Sequence, residues 1–188
     1  MGQSAGSPGN RPAEHTAGQN VQFCAFPTAS GWMGLAGKAG RVVGVFMGLP
    51  DRPAVVERVW AQWHEATVEA DWAPELVARL QAFMQGQMDD FRDVELEPPL
   101  TTDFQRAVIQ TVRQIPYGET ASYAEVARRA GSPKAARGVG GVMAANRLPI
   151  LIPCHRVVAS GGGIGGFSAP TGVDLKRWLL ERESGADR

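Results

Sequence analysis

Cysteine is scarce in this 188-residue chain: only Cys24 and Cys154 occur. Two thiols cannot build a disulfide framework in a chain of this size, so the expectation is free cysteines in a reducing compartment. Histidine is equally sparse. His15, His64 and His155 stand far apart, with no CxxC or HxxxH spacing, so no metal site and no cofactor is expected. No apolar run approaches the ~18 residues of a membrane span. The opening MGQSAGSPGNRPAEHTAGQN has no apolar core of a signal peptide, and Gly6 stands where a myristoylation motif requires Ser or Thr. The expected location is therefore the cytoplasm, away from any membrane. Excess charge is also missing, with 19 Lys/Arg against 19 Asp/Glu. What is present is ordinary for a globular protein: 44% hydrophobic and 20% charged residues, with 23 Gly and 13 Pro marking a loop-rich chain of one or two small domains.

The zero net charge hides an asymmetry. Residues 1–100 carry 7 Lys/Arg and 12 Asp/Glu, whereas residues 101–188 carry 12 and 7. Between positions 128 and 177, Arg128, Arg129, Lys134, Arg137, Arg147, Arg156, Lys176 and Arg177 face only Asp174. Such a split suits either solvated helix faces or a basic half lying against phosphates.

Residues 1–19, small and polar, read as a flexible tail. From Val21 the alternation of Val21, Phe23 and Ala25, followed by GWMGLAG and RVVGVFMG, predicts a small antiparallel sheet. Asp51 and Pro53 open a helix whose apolar positions are Val55, Val56, Val59, Trp60 and Trp63. A second helix begins near Asp71 and Pro74, with Leu76, Val77, Leu80, Phe83 and Met84 inward. Pro98-Pro99 is a linker signal. These signals divide the chain into a tail (1–19), an α/β N-terminal domain (20–97) and a mostly α-helical C-terminal domain (98–188).

The second half is well punctuated. Thr102-x-x-Gln105 and Ser122-x-x-Glu125 are capping boxes. Gly131 follows the second helix where a C-cap favours it, and Ser132-Pro133 reads as the start of the next helix, with Ser as N-cap. Two short helices around a Gly-containing turn match a helix-turn-helix. Gly138, Gly140 and Gly141 inside the second helix each cost about 0.5–1 kcal/mol relative to Ala. Their presence implies close approach by another helix or by a ligand.

After Asn146 comes LPILIPCHRVV, which sets Cys154 beside His155. A thiolate, not a thiol, is the nucleophile, so a reactive Cys154 needs a base, and His155 is the local candidate. A buried cysteine and a core histidine would give the same pattern without chemistry.

IPCHRVV resembles the active-site signature of the O6-alkylguanine-DNA alkyltransferases, the methylated-DNA–protein-cysteine methyltransferases. The block IPYGETASYAEVARRAGSPKAARGVGGVMAANRLPILIPCHRVV, followed by GGFS and WLLERE, is similar to the family's ordered motifs over roughly residues 101–183. The resemblance implies a ribonuclease-H-like N-terminal domain and a C-terminal helix-turn-helix. It implies that Cys154 takes the alkyl group irreversibly, in a relay through water to His155 and then Glu183, with Asn146 bracing the cysteine turn. Adjacent side chains on an extended segment diverge, which suits a water between them. It also implies that Tyr123 donates to guanine N3, that the Ser168 N–H donates to O6, and that the carbonyls of Cys154 and Val157 accept from the exocyclic amine. Met143 and Phe167 would line the base pocket. The base would be flipped out from the minor groove. Arg137 would fill the stack, with Lys134, Ala136, Gly138, Gly140 and Gly141 along the DNA. The implied partner is double-stranded DNA carrying O6-alkylguanine, with O4-alkylthymine as a second substrate, and the protein is expected to be a monomer. Three positions depart from the family pattern: Phe167 replaces a frequent Tyr, the stretch SAPTGVDLK is slightly longer, and Ala144 stands where some members carry Arg or Ser.

Three rivals fit parts of the sequence. An alkyltransferase-like lesion-binding protein would lack the reactive cysteine, which is present. A thiol hydrolase would leave the basic helix pair without a role. A plain DNA-binding regulator would make Cys154 incidental.

Overall fold

The fold is seen in a computed structural model that describes residues 20–98, 102–167 and 172–185. The tail 1–19, Pro99 and Ser168 lie outside the described residues. Strands β1 (Gln22–Thr28), β2 (Gly31–Lys38) and β3 (Arg41–Leu49) form an antiparallel meander. The β2–β3 connection is two residues, Ala39 and Gly40, both at positive φ (49° and 78°). That is type I′ geometry, whose twist matches a hairpin. A fourth strand, β4 (Thr67–Val68), pairs in parallel with β1, so the sheet is mixed, in the order β3-β2-β1-β4. The expected wholly antiparallel sheet is corrected here. The chain leaves β3 through a helix, and a helical crossover returns the next strand parallel.

Both faces of the sheet are covered. Alternation along β1 sends Phe23 to one side, where it packs with Val55 and Val59 of α1 (Arg52–Trp60). Cys24 and Phe26 point to the other side, into a core that continues through α2 (Pro74–Met84) to the C-terminal helices. Helix α1 starts where Asp51 Oδ1 accepts the Ala54 N–H at 2.8 Å, satisfying one of the orphan donors of the first turn. Its expected apolar face is narrower than the sequence suggests. Trp60 stays exposed, its indole N–H donating to Ala66 O at 3.0 Å, and Trp63 lies beyond the helix, edge-on to Phe46.

In the second half, both capping boxes form at their helices, α3 (Asp103–Arg113) and α4 (Tyr123–Arg129), and Gly131 follows α4 at φ 76°. Helix α5 runs Ala136–Ala144 and α6 runs Gly172–Ser184. The Ser132-Pro133 helix start is not realised. Ser132 O accepts from Ala135 N at 2.9 Å, closing a β-turn with Pro133 second in it, and α5 begins after Ala135 without a side-chain cap. Pro fixes φ equally well for a turn and for a first helical residue. The connection between α4 and α5 is therefore residues 130–135, longer than the sequence implied. Strands β5 (Ala121–Ser122) and β6 (Val157–Val158) pair in parallel, tying the start of α4 to the chain just after Cys154. Among the described residues no helix is long and apolar enough to cross a membrane.

Candidate active site

The turn before Cys154 is built by Asn146. Its Nδ2 donates to Ile152 O at 3.0 Å and its Oδ1 accepts from Leu148 N at 3.0 Å. Inside that turn Ile150 adopts φ 73°. A β-branched residue there is strained, of order 1–3 kcal/mol, and needs surroundings that over-determine it. The Asn146 bonds and full burial of Leu148, Ile150, Leu151 and Ile152 supply them. The backbone then folds into a short 3-10 turn over Cys154–Arg156, with Arg156 N donating to Pro153 O at 2.9 Å. The segment is thus not extended, as the sequence reading assumed.

His155 is fully buried. Its Nε2 lies 2.7 Å from Glu183 Oε1, and Nδ1 has no hydrogen-bond partner among the described residues, the Cys154 thiol included. A carboxylate accepts only, so it fixes the proton on Nε2 and leaves Nδ1 with a free lone pair. Glu183 also accepts from Gly118 N at 3.1 Å and from Arg156 Nε at 2.9 Å. Burial alone would raise the Glu183 carboxyl; His155 and Arg156 more than reverse this and hold it below its ordinary value. Burial pushes His155 down, against the pull of Glu183, so the ring rests neutral. Burial pushes the Cys154 thiol up, opposed by the Asn146 amide, the Lys176 charge and local backbone N–H groups.

A cavity of about 200 Å³ opens onto Cys154 between Tyr123, Gly140, Met143, Ala144, Gly166 and Phe167. The structure therefore brings Tyr123, Met143, Cys154 and Phe167 together, with His155, Glu183 and Asn146 behind them. Pairing of β5 with β6 is what sets Tyr123, the first residue of α4, against the Cys154 segment. Burial raises the Tyr123 hydroxyl, with the neighbouring Cys154 adding to the shift, so it stays a proton donor at neutral pH. Val157 is buried, and its carbonyl accepts from Lys176 Nζ at 2.6 Å, leaving one lone pair for another donor.

Lys134 and Arg137 are exposed at the start of α5, beside half-buried Ala136. The three helix glycines differ. A Cβ on Gly138 would sit 3.2 Å from the Phe104 ring of α3, so there the close neighbour is the protein's own helix. A Cβ on Gly140 would make only ordinary contact, and one on Gly141 would meet nothing within 4 Å.

Two groups at the site escaped the sequence reading. Arg156 and Lys176, counted there as basic surface, are buried, and so cannot lie against phosphates. Arg156 Nη1 donates to Asp90 Oδ1 and to Ile115 O, both at 2.8 Å, linking the acidic stretch of the first half to Glu183. Lys176 Nζ also donates to Gly166 O at 3.2 Å. The missed signal for Lys176 was its position: with Leu179 and Glu183 it follows an i, i+3, i+7 stripe, the buried face of α6.

The family model for the DNA-binding domain of 6-O-methylguanine DNA methyltransferase matches residues 103–185. The methylated-DNA–protein-cysteine methyltransferase of Methanosarcina acetivorans is 41% identical over 105 residues, 56% of this chain and 65% of that protein. Its counterpart in Methanosarcina barkeri is 39% identical over 122 residues, 62% of this chain and 75% of that protein. The alignments thus span about two thirds to three quarters of those relatives. The crystal structure of Mycobacterium tuberculosis OGT in complex with DNA superposes with a TM-score of 0.73 at 32% identity, covering 87% of this chain and 93% of that one. By sequence and by fold, the chain belongs to the methylated-DNA–protein-cysteine methyltransferase family.

Proposed function

We propose that the protein repairs double-stranded DNA by direct reversal, moving the alkyl group of O6-alkylguanine, and of O4-alkylthymine, onto Cys154. The observation that carries this reading is the His155 Nε2–Glu183 contact of 2.7 Å, which leaves Nδ1 without a partner in the residue that follows Cys154, itself facing a base-sized cavity. A water carries the thiol proton to Nδ1, and Glu183 stabilises the imidazolium that forms. The thiolate attacks the carbon on O6; the S–C bond forms, the C–O bond breaks, and its electron pair leaves on guanine. Tyr123 donates to N3 and the Ser168 N–H to O6 as that charge develops, while the carbonyls of Cys154 and Val157 receive the 2-amino group. A thioether is not hydrolysed by water, so each molecule acts once.

An alkyl group on a base edge is out of reach inside a duplex, so the nucleotide is flipped out. Helices α4 and α5 serve as a helix-turn-helix in the minor groove, with Arg137 filling the stack and Lys134 and Ala136 along the backbone. Gly140 and Gly141 let the α5 backbone come close, whereas Gly138 serves chiefly to admit Phe104. The family relative bound to DNA supports this partner. The N-terminal sheet and helices act as a ribonuclease-H-like domain over 20–97 and the remainder, 98–188, as the transfer domain, in a cytoplasmic monomer.

Intact mass after incubation with a duplex carrying one O6-methylguanine tests the proposal. One methyl gained at Cys154, saturating at one per molecule and absent in Cys154→Ala, is the expected result. Lesion binding without mass gain would instead make the protein a lesion sensor.

A further inference from the structure

A second line of contacts reaches His155 from the first half of the chain, starting at residues 89–94. Phe91 there adopts φ 49° although its ring is buried, a costly conformation that persists only where the surroundings over-determine it. They do so from three sides. Asp89 Oδ1 accepts from Phe91 N at 2.8 Å, and Arg79 bridges Asp89 and Asp93. Arg113 Nη2 of α3 donates to the carbonyls of Phe91, Arg92 and Val94 at 3.0, 3.1 and 3.2 Å. This anchored turn makes two contacts toward the site. The Phe91 ring meets Phe83 at 5.5 Å, and Phe83 in turn lies edge-on to the His155 ring at 6.4 Å. Asp90 Oδ1 accepts from Arg156 Nη1 at 2.8 Å, and Arg156 holds Glu183.

Formal charge shows what Asp90 contributes. At rest the cluster holds two carboxylates, Asp90 and Glu183, against one guanidinium, Arg156, with the His155 ring neutral. One negative charge is in excess, and a proton taken by His155 balances it. Without Asp90 the same cluster rests balanced, and the proton makes it a net cation in a site where little water screens the repulsion. Arg156 would then face His155 with only Glu183 to offset it, and its charge already opposes protonation of the ring. Lys176 of α6 opposes it too, being held by the Val157 and Gly166 carbonyls rather than by a carboxylate. Around the cluster, the Tyr117 ring faces the guanidinium at 5.7 Å, and half-exposed Arg92 lies 3.5 Å from Asp90 Oδ2.

We infer that Asp90 is a positioning residue for alkyl transfer: acting through Arg156, it readies the His155–Glu183 pair to receive the proton of Cys154. The inference rests on the alkyl-transfer reading above and adds a residue to it. Asp90 does not line the cavity at Cys154, so its effect passes through the guanidinium and not through the base. The anchored turn at Phe91 is what keeps its carboxylate in place. The covalent step is unchanged.

Single-turnover methyl transfer from an O6-methylguanine duplex, followed by intact mass across pH, tests it with the full-length protein. Iodoacetamide labelling of Cys154, mapped by peptide mass, gives a second readout that needs no DNA. Asp90→Asn should slow both reactions about three- to tenfold at pH 7, which is at most about one unit of proton affinity on His155. The deficit should close as pH rises toward the thiol's own titration, where ionisation no longer needs the base. Asp90→Ser should behave likewise, and Asp90→Glu, which keeps the charge, should recover most of the rate. Asp93→Asn loosens the same turn at Arg79 without touching Arg156, and should leave both pH profiles unmoved. Arg156 keeps Glu183 and Ile115 O in every variant, so all should fold, and thermal melting checks this. Unchanged rates in Asp90→Asn and Asp90→Ser would overturn the inference. So would a slowing that is the same at every pH, which is what a merely structural role predicts. Absence of methyl transfer in the unmodified protein, with the iodoacetamide profile still moved by Asp90→Asn, would instead refute the repair reading and leave the coupling of Asp90 to His155 standing.

Discussion

Arg156 and Glu183 form a buried two-point pair: Arg156 Nε lies 2.9 Å from Oε2 and Nη2 lies 3.1 Å from Oε1, the oxygen that also meets His155. A carboxylate in a dry site needs a reason to stay ionised, and His155 and this guanidinium provide it. Asp90, from the first half of the chain, holds the other side of the same guanidinium. The orientation of His155 therefore depends on residues from three distant segments.

Removing one partner of such a pair leaves an uncompensated buried charge, which costs about 3–5 kcal/mol. Glu183→Gln should therefore lower the unfolding free energy by that order and slow alkyl transfer as well. Arg156→Gln should do the same. The double variant should lose less than the sum, with a coupling of about 0.5–3 kcal/mol, because both singles strand a charge and the double does not. Denaturant unfolding of the four proteins checks this; additive losses would contradict it.

Stability should fall on mild acidification, from two groups acting in the same direction. His155 is held below its ordinary 6.5, so the unfolded chain takes up that proton first and stability drops as pH falls beneath 6.5. Glu183 is held below its ordinary 4.5, so its contribution is complete above 4.5 and is lost as pH falls from there through the folded value. Each proton gives at most about 1.4 kcal/mol per pH unit. Thermal melting between pH 8 and about 3 should show two successive declines. His155→Gln should remove the one that starts near 6.5 and keep the other.

Much of the architecture could be read from local chemistry. Both capping boxes, the Asp51 cap and Gly131 formed where the sequence placed them, because each satisfies its own backbone groups within one turn. What could not be read depended on tertiary partners. Pro133 suited a turn as well as a helix start, and β4 was too short to carry a pattern. The active-site motif exposed Cys154, His155 and Glu183 as a set, and the structure brings His155 and Glu183 together. Arg156 and Lys176 were hidden because a charged residue in sequence reads as surface unless its burial partners are known.

Lys176 offers a direct test of how the thiolate is supported. Its ammonium is buried, pinned by Val157 O and Gly166 O, and its charge favours the ionised form of Cys154 against burial. Lys176→Met keeps the length and removes the charge. The Cys154 thiol should then titrate higher, and the pH at which alkyl transfer reaches half its maximum should move up. Because the variant also loses two hydrogen bonds, the shift of the pH profile, rather than the rate at one pH, is the informative readout. A lower rate with an unmoved profile would assign Lys176 to loop positioning alone.

Gly138 and Gly141 separate packing from DNA approach within one helix. Gly141→Ala adds a methyl into open space and should stabilise the protein by about 0.5–1 kcal/mol through helix propensity. Gly138→Ala gains the same propensity but sets its Cβ 3.2 Å from the Phe104 ring, so its gain should be smaller or reversed. On DNA the order inverts if α5 lies in the groove. Gly141→Ala should weaken duplex binding because the added methyl meets DNA where it met nothing in the free protein. Fluorescence anisotropy with an undamaged duplex, read beside the melting temperatures, distinguishes the two. A Gly141→Ala protein that is more stable and binds the duplex as tightly as before would take the α5 backbone out of the DNA interface.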